Sequence, residues 1–332
     1  MKPRVLVVDD SAFARMLLCR VLRESGLIDV VGIARDGREA LDKIAELDPD
    51  VITLDLTMPE LDGLGVLRAL KARPRPRAIV VSISTIHSEP GAEALALGAI
   101  DLISKPTALA NERLAEIGSA LVARILATVA APILSVAQTA PLVGGAPQLV
   151  MIGTSTGGPQ ALTRVLAGLP AAFRIPVTIA LHIPVEYTAS LAARLDKICA
   201  LHVVEAEDGI DLEPGMVVIA RGGSHLIVEG KPGALIGRVG ALPIRTFWPS
   251  VDELFSSGAR AVGAGALGVV LTGMGDDGLA GAKEIAAAGG RLIIEAASSC
   301  VVYGMPRCVY EAGLGAISVP LDGIAKELAG RV

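Results

Sequence analysis

Short apolar, β-branched runs alternate with amphipathic stretches through the first third of the chain. The runs that predict strands lie at residues 5–8, 30–33, 51–54, 79–81 and 100–103. Between them, apolar residues recur with a period near 3.6 at residues 12–22, 40–47 and 64–72, as in helices with one buried face. Strands and helices in this alternation predict a parallel sheet covered on both faces. We therefore expect an α/β domain of (βα)5 type over residues 1–125.

A second series of apolar runs predicts a second α/β domain. The runs that predict its strands lie at residues 149–152, 177–181, 203–205, 267–272 and 292–294. They indicate a doubly wound parallel sheet, and residues 216–229, with Gly222-Gly223 between two apolar runs, predict a β-hairpin added to it. Residues 126–147 hold no charged residue and are rich in Ala, Pro, Gly and Val. We interpret them as a linker, so that the second domain spans residues 148–332.

Polar side chains follow the predicted strands of the first domain. Asp9 and Asp10 come directly after the first strand, and Asp55 ends the third. Because the carboxyl ends of parallel strands meet at one edge of a sheet, these carboxylates should converge and offer the oxygen ligands that Mg²⁺ prefers. Ser82 ends the fourth strand and Lys105 follows the fifth. A hydroxyl and an ammonium group beside a carboxylate suit a phosphoryl group carried on that carboxylate.

The motifs VLVVDDSAFAR, DLTMPELDG and GAIDLISKP resemble those of the receiver domain of bacterial two-component response regulators. The resemblance implies that Asp55 accepts a phosphoryl group from a histidine kinase, with Ser82 and Lys105 as the switch hydroxyl and lysine. The implied ligands of Mg²⁺ are Asp9, Asp10, Asp55 and the backbone carbonyl of Thr57. Receivers usually carry an aromatic residue three positions before the lysine, where this chain has Leu102. This chain therefore lacks the aromatic residue through which receivers usually report phosphorylation.

The stretch VMIGTSTGGPQAL at residues 150–162 runs from an apolar strand into glycine, threonine and serine. A phosphate-binding loop is disfavoured, because no lysine follows as in a Walker loop and the spacing does not match the dinucleotide fingerprint. Gly153-Thr154-Ser155-Thr156-Gly157 fits G-x-S-x-G, which places a serine on a sharp strand-to-helix turn. An ordinary glycine-rich connection is the alternative. If Ser155 is a nucleophile, it needs a general base and an acid that orients that base.

His182 is the candidate base. It ends the predicted strand at residues 177–181 and should lie at the same sheet edge as Ser155. The other histidines of the second domain, His202 and His225, lie in a strand and in the predicted hairpin, where a structural role is the simpler interpretation. A further apolar strand opens into the glycine turn that carries Asp276-Asp277, so either carboxylate could complete a Ser-His-Asp triad. Triads are recognised by geometry and not by chain order.

The second domain contains, in chain order, the motifs IGTSTGGPQAL, LHIP, EAEDG, PGMVVIA, RGGSH, PSVDELF, LTGMGDDG and SSCVVYGMP. With these motifs it resembles the catalytic domain of the CheB family of chemotaxis protein-glutamate methylesterases. The resemblance implies Ser155 as the nucleophile, His182 as the general base and Asp277 as the orienting acid. It also implies that the backbone N–H of Met274 helps to form the oxyanion hole and that Thr156 supports the site. No cofactor is implied for the esterase site.

Two positions depart from the family pattern. Asp276 stands where an asparagine is usual, and Phe247-Trp248 replaces the usual His-Arg before Pro-Ser-Val-Asp. The aromatic pair is expected either to be buried packing or to shape the substrate side. The departure concerns the substrate side of the site and leaves the triad residues unchanged.

The resemblance implies a phosphorylation-activated serine esterase. It would hydrolyse glutamate γ-methyl esters on the cytoplasmic domains of chemoreceptors and release methanol, and glutamine deamidation on the same receptors is a second expected activity. The unphosphorylated receiver would cover the esterase site. The alternatives are a receiver-controlled esterase or amidase for a different protein, and a response regulator whose second domain only binds partners.

Composition limits the classes of partner that this protein is expected to bind. A net charge of −5 and few aromatic residues argue against a nucleic-acid binder. No apolar run reaches the length of a membrane span, and the N-terminus has no signal-peptide pattern. Four widely spaced cysteines fit reduced core thiols. We expect a cytoplasmic protein without direct membrane insertion.

Overall fold

The computed structural model describes residues 2–71, 75–82, 89–105, 111–129, 146–241 and 243–330. The chain divides into two compact units, Met1–Ala131 and Pro132–Val332. Most of the predicted linker, residues 130–145, lies outside the described residues, so the domain bounds given above stay predictions.

The first unit contains a five-stranded parallel sheet in the order β2-β1-β3-β4-β5. Its strands are β1 (Arg4–Val8), β2 (Asp29–Ala34), β3 (Val51–Leu54), β4 (Arg77–Ser82) and β5 (Asp101–Ser104). Its helices are α1 (Ala12–Glu24), α2 (Gly37–Leu47), α3 (Gly63–Leu70), α4 (Glu89–Ala96) and α5 (Asn111–Val129). Strands and helices alternate along the chain, which confirms the (βα)5 prediction.

Local sequence signals fix the helix starts in this unit. The hydroxyl of Ser11 accepts a hydrogen bond from the backbone N–H of Ala14 at the start of α1. The carboxylates of Asp36 and Asp62 accept equivalent bonds at the starts of α2 and α3. Such N-caps satisfy backbone donors that the first helical turn leaves unpaired. The apolar strands β1 and β3 form the buried centre of the sheet.

The second unit contains ten strands among its described residues. In chain order they are β6 (Leu149–Thr154), β7 (Val177–Leu181), β8 (His202–Glu205), β9 (Ile210–Asp211), β10 (Met216–Ile219), β11 (His225–Lys231), β12 (Ala234–Gly240), β13 (Ala266–Val270), β14 (Arg291–Glu295) and β15 (Ile317–Val319). Seven of them form a parallel sheet in the order β15-β14-β13-β6-β7-β10-β8. The other three form an antiparallel sheet in the order β11-β12-β9.

Helices pack against the larger sheet of this unit. They are α6 (Gly158–Ala167), α7 (Thr188–Ile198), α8 (Val251–Val262), α9 (Leu279–Ala287), α10 (Met305–Glu311) and α11 (Leu321–Ala329), with short 3₁₀ turns at Val185–Tyr187 and Gly263–Gly265. The predicted doubly wound parallel sheet is confirmed. In the ranges that the structure describes, no helix is both long enough and apolar enough to cross a bilayer.

The predicted hairpin over residues 216–229 is wrong. β10 pairs in parallel with β7 and β8 inside the larger sheet, whereas β11 pairs with β12 across Pro232-Gly233. The reason lies in the burial of the two strands. β10 is an unbroken apolar run, as expected of a parallel strand covered on both faces, while β11 becomes exposed from Glu229 onward. Gly222-Gly223 therefore lies between two sheets and does not close a hairpin.

Strand order places β6 between β13 and β7. The chain passes from β6 to β7 on one side and returns to β13 on the other side, so the carboxyl ends of β6 and β13 form a topological switch point. Open α/β sheets bind ligands at this position.

Candidate active site

Ser155 lies on a sharp turn between β6 and α6. The residue is buried, and its backbone N–H donates to the carbonyl of Thr272 at 3.1 Å. Gly157 has a φ of 82°, and a Cβ there would lie 2.7 Å from the Cβ of Val301, so only glycine fits. Gly158 then donates its N–H to the carbonyl of Ser155 at 2.7 Å as α6 begins. This is the strand–turn–helix geometry that G-x-S-x-G predicts.

His182 and Asp277 meet at the same sheet edge. His182 follows β7, and its backbone N–H donates to the carbonyl of Thr154 at 3.1 Å, beside the serine. Its Nε2 lies 2.8 Å from Oδ2 of Asp277, with the side chains 8% and 5% exposed. The other ring nitrogen, Nδ1, is buried and makes no hydrogen bond within the described part of the chain. With the proton on Nε2, the lone pair on Nδ1 can accept a proton.

Asp277 is held by several donors besides the histidine. Its Oδ2 accepts the backbone N–H of Val251 at 2.7 Å, and its Oδ1 accepts the N–H of Asp252 and the hydroxyl of Ser250, both at 3.0 Å. Burial alone would raise the pKa of Asp277. The hydrogen bonds and charge of His182, together with the backbone N–H donors, lower this pKa below its usual value. The neighbouring Asp276 is exposed, so the structure brings only the second aspartate of the pair to His182.

The turn after β13 lies directly against the serine. A Cβ on Gly273 would be 2.9 Å from the Cβ of Ser155, so this approach requires glycine. The hydroxyl of Thr272 donates to the carbonyl of Thr156 at 3.0 Å and so fixes the turn that follows the serine. The backbone N–H of Met274 donates no hydrogen bond to another described residue. It is therefore a donor that an oxyanion could use.

Ser250 supports Asp277, a contact that the sequence pattern above does not predict. Ser250 caps α8 through Glu253, whose N–H donates to its hydroxyl at 3.4 Å, and it also bonds Asp277. The backbone N–H of Ser250 donates to Nδ1 of His225 at 3.1 Å, and Nε2 of that buried ring lies 2.9 Å from the carbonyl of Pro243. The Ser-x-x-Glu spacing is the signal that could have identified this cap.

Each residue of the aromatic pair contacts the ring of a histidine. The ring of Phe247 lies 4.3 Å from the ring of His182 between centroids, with an interplanar angle of 6°. The ring centroids of Trp248 and His225 lie 4.7 Å apart, and their planes are tilted by 31°. Both aromatic side chains are half-buried. Phe247 therefore contacts the predicted general base, Trp248 contacts a second histidine, and the pair is not simple interior packing.

The first unit has its own polar site at the carboxyl edge of its sheet. Asp55 is buried, and its Oδ1 accepts the hydroxyl of Ser82 at 2.8 Å. Nζ of Lys105 lies 2.6 Å from Oδ2 of Asp55 and 2.6 Å from Oδ2 of Asp9. The lysine thus bridges two carboxylates that would otherwise repel each other.

The donor set of this site fits a divalent cation. One oxygen from each of Asp9, Asp10 and Asp55 lies within 4.8 Å of the others. Burial raises the pKa of Asp9, although Lys105 opposes the shift. Thr57 is exposed beside Asp55, and its N–H donates to Oδ1 of that residue at 3.5 Å.

Leu102 is buried within β5 and is 2% exposed. Its backbone carbonyl accepts a hydrogen bond from Arg124 at 3.1 Å. Its side chain therefore belongs to the core of the first unit.

Comparison with known proteins identifies the family of each of the two units. The CheB methylesterase family model matches residues 150–328, and the response regulator receiver domain model matches residues 5–116. A protein-glutamate methylesterase/protein-glutamine glutaminase of Myxococcus xanthus is 53% identical, over 97% of this chain and 95% of its own. A relative of the same name from Geobacillus kaustophilus is 42% identical, over 97% and 96%. The crystal structure of the Thermotoga maritima CheB methylesterase catalytic domain, at 37% identity, covers 57% of this chain and 100% of its own, with a TM-score of 0.54.

The chain combines a receiver domain with a catalytic domain built on a parallel sheet. The protein is therefore a response regulator with an enzymatic second domain. The chain belongs to the CheB methylesterase family.

Proposed function

We propose that the second domain is a serine esterase that hydrolyses glutamate γ-methyl esters on chemoreceptors. The observation that carries the proposal is the contact between His182 and Asp277, at the sheet edge where Ser155 begins its turn. The relatives' names, protein-glutamate methylesterase/protein-glutamine glutaminase, supply the substrate class.

The first half of the proposed reaction forms an acyl-enzyme. Oγ of Ser155 attacks the ester carbonyl, and its proton passes to Nδ1 of His182, while Asp277 holds the proton on Nε2. The N–H of Met274 donates to the oxygen that becomes negative in the tetrahedral intermediate. When this intermediate collapses, the C–O bond to the methoxy group breaks, and His182 returns the proton so that methanol leaves.

The second half uses water. His182 takes a proton from a water molecule whose oxygen attacks the acyl carbonyl, and collapse breaks the bond to Ser155 as the serine regains a proton. The products are glutamate and free enzyme. A glutamine side chain offers the same carbonyl with ammonia as leaving group, so we include glutamine deamidation as a second, slower reaction at this site.

We further propose that the receiver domain controls this esterase through phosphorylation of Asp55 by a histidine kinase. Asp9, Asp10, Asp55 and the carbonyl of Thr57 would hold Mg²⁺, which supplies positive charge to the phosphoryl oxygens when it is bound. Ser82 and Lys105, which already contact Asp55, would contact that phosphoryl group. We place this activity in the cytoplasm, where the free cysteines stay reduced.

Replacement of the serine tests the proposal. Ser155→Ala in the full-length chain should abolish methanol release from methylated chemoreceptors while the protein stays folded. Ser119→Ala, an exposed serine in α5, is the matched control and should keep full activity. Substantial esterase activity in Ser155→Ala would place the chemistry at another residue.

A further inference from the structure

We propose that Phe247 is a positioning residue for the general base. Its ring holds the imidazole plane of His182 and stabilises the imidazolium that forms when Ser155 loses its proton. This inference rests on the proposed esterase function. Phe247 would thus act on the general base through its aromatic face and not only through apolar packing.

The geometry supplies the contact that the triad itself lacks. The hydrogen bond from Nε2 to Asp277 fixes one edge of the imidazole, but a bond at one edge leaves the ring free to tilt. The ring of Phe247 lies nearly parallel to it, at 4.3 Å and 6°. A flat partner on one face opposes this tilt. Because Nδ1 must point at the serine, loss of the stack would misdirect the nitrogen that accepts the proton.

The stack also distinguishes the two charge states of the base. An aromatic face carries the negative part of the ring quadrupole, so it attracts a cation more strongly than a neutral ring. His182 is neutral before the attack and becomes a cation as it takes the proton of Ser155. The stack therefore strengthens toward the transition state, which is the condition for an interaction to raise turnover.

Phe247 is held by contacts on its neighbours. Nε1 of Trp248 donates to the carbonyl of Arg245 at 2.6 Å, and the carbonyl of Trp248 accepts the N–H of Gly223 at 3.2 Å. Two residues further, the N–H of Ser250 donates to His225, and the ring of Trp248 contacts that histidine at a tilt of 31°. The backbone around Phe247 is thus fixed on both sides. A substitution at position 247 should change the ring without moving the segment.

The competing role for Phe247 is a substrate contact at the mouth of the site. The two roles differ in kinetics. A contact made equally with substrate and transition state changes KM, whereas support of the base changes kcat. The two roles also differ in which residues can replace phenylalanine, since a leucine keeps apolar contact but has no aromatic face.

The experiment compares Phe247→Leu, Phe247→Tyr and the wild-type full-length chain by steady-state methanol release from methylated chemoreceptors. We expect Phe247→Leu to lower kcat by about 2- to 30-fold, the range of a cation–π contact, with KM changed by less than about twofold. Phe247→Tyr should restore kcat to near the wild-type value. Ile244→Ala, an exposed residue in the same segment, is the control and should leave both constants unchanged.

A spectroscopic measurement tests the stack independently of turnover. In wild type, the ring-current field of Phe247 should move the imidazole proton signals of His182 upfield. The shift should persist in Phe247→Tyr and disappear in Phe247→Leu. His182→Asn identifies the signals by their loss.

Several results would overturn the inference. These are an unchanged kcat in Phe247→Leu, an effect confined to KM, equal impairment of the Tyr and Leu variants, or a His182 signal that does not respond. If the wild-type chain releases no methanol, the proposed function itself fails. An active wild type with an unimpaired Phe247→Leu variant overturns only the role of Phe247.

Discussion

Asp277 contacts Nε2 of His182 at 2.8 Å, while the adjacent Asp276 is exposed to solvent. The two aspartates are therefore unequal, although the sequence presents them as a pair. Asp277→Asn should reduce kcat by about 10⁴-fold, as the equivalent change does in serine proteases, because an amide favours the wrong imidazole tautomer. Asp276→Asn should change kcat by less than about threefold. Methanol release by both variants gives the comparison, and the reverse ranking would show that Asp276 orients the base.

Ser250 supports both a helix and the acid. Ser250→Ala removes the cap of α8, which should lower the free energy of unfolding by about 1 kcal/mol. It also removes one of the hydrogen-bond donors to Asp277. We therefore expect kcat to fall even under conditions where the variant is fully folded. Urea unfolding and turnover of the same preparation measure the two effects. Ser250→Thr keeps the hydroxyl and should restore most of the free energy of unfolding and most of kcat. If it restores neither, the defect of Ser250→Ala comes from packing and not from the lost hydroxyl.

The receiver should restrain the esterase when it is unphosphorylated. A protein of residues 148–332 alone should therefore release methanol faster than the unphosphorylated full-length chain. Asp55→Asn should keep the full-length chain at its low rate even with a small-molecule phosphodonor and Mg²⁺ present. If the isolated second domain is slower than the intact chain, the receiver contributes to catalysis and the restraint model is wrong.

The cysteines should react slowly with thiolate-directed reagents. All four thiols are free, and burial raises the pKa of each, in Cys199 to about 11 with a further contribution from Asp196. Because the reactive form is the thiolate, alkylation of Cys199 should rise as pH approaches 11 and be slow at pH 8. Iodoacetamide labelling followed by mass spectrometry measures this rate. Rapid labelling of Cys199 at pH 8 would contradict it.

Much of the fold follows from periodicity. Runs such as residues 5–8 and 51–54 are buried on both faces, so their apolar composition directly indicates interior parallel strands. The hairpin prediction failed because Gly222-Gly223 gives a local turn signal, whereas the pairing of β10 is decided by distant strands. A local pattern cannot report that β7 and β8 leave a gap between them for a strand that comes later in the chain.

The position of the candidate site could be predicted from the sequence, because its residues follow the ends of strands. Ser155, His182 and Asp277 each follow a strand, and parallel strands bring their ends together. The stack of Phe247 on His182 was not predictable, because the aromatic pair lies in a segment without regular structure. The position of His225 in the sequence predicts a structural role. The structure shows that this ring supports the segment that carries Ser250.

The strands β6, β7 and β13 are neighbours in space, but β13 comes late in the chain. During synthesis, Ser155 and His182 are incorporated into the chain well before Thr272 and Asp277. Until then, the serine turn lacks its carbonyl partner and the histidine lacks its carboxylate. A chain that ends before β13 is therefore expected to be inert toward esters, because it lacks both the carbonyl of Thr272 and the carboxylate of Asp277.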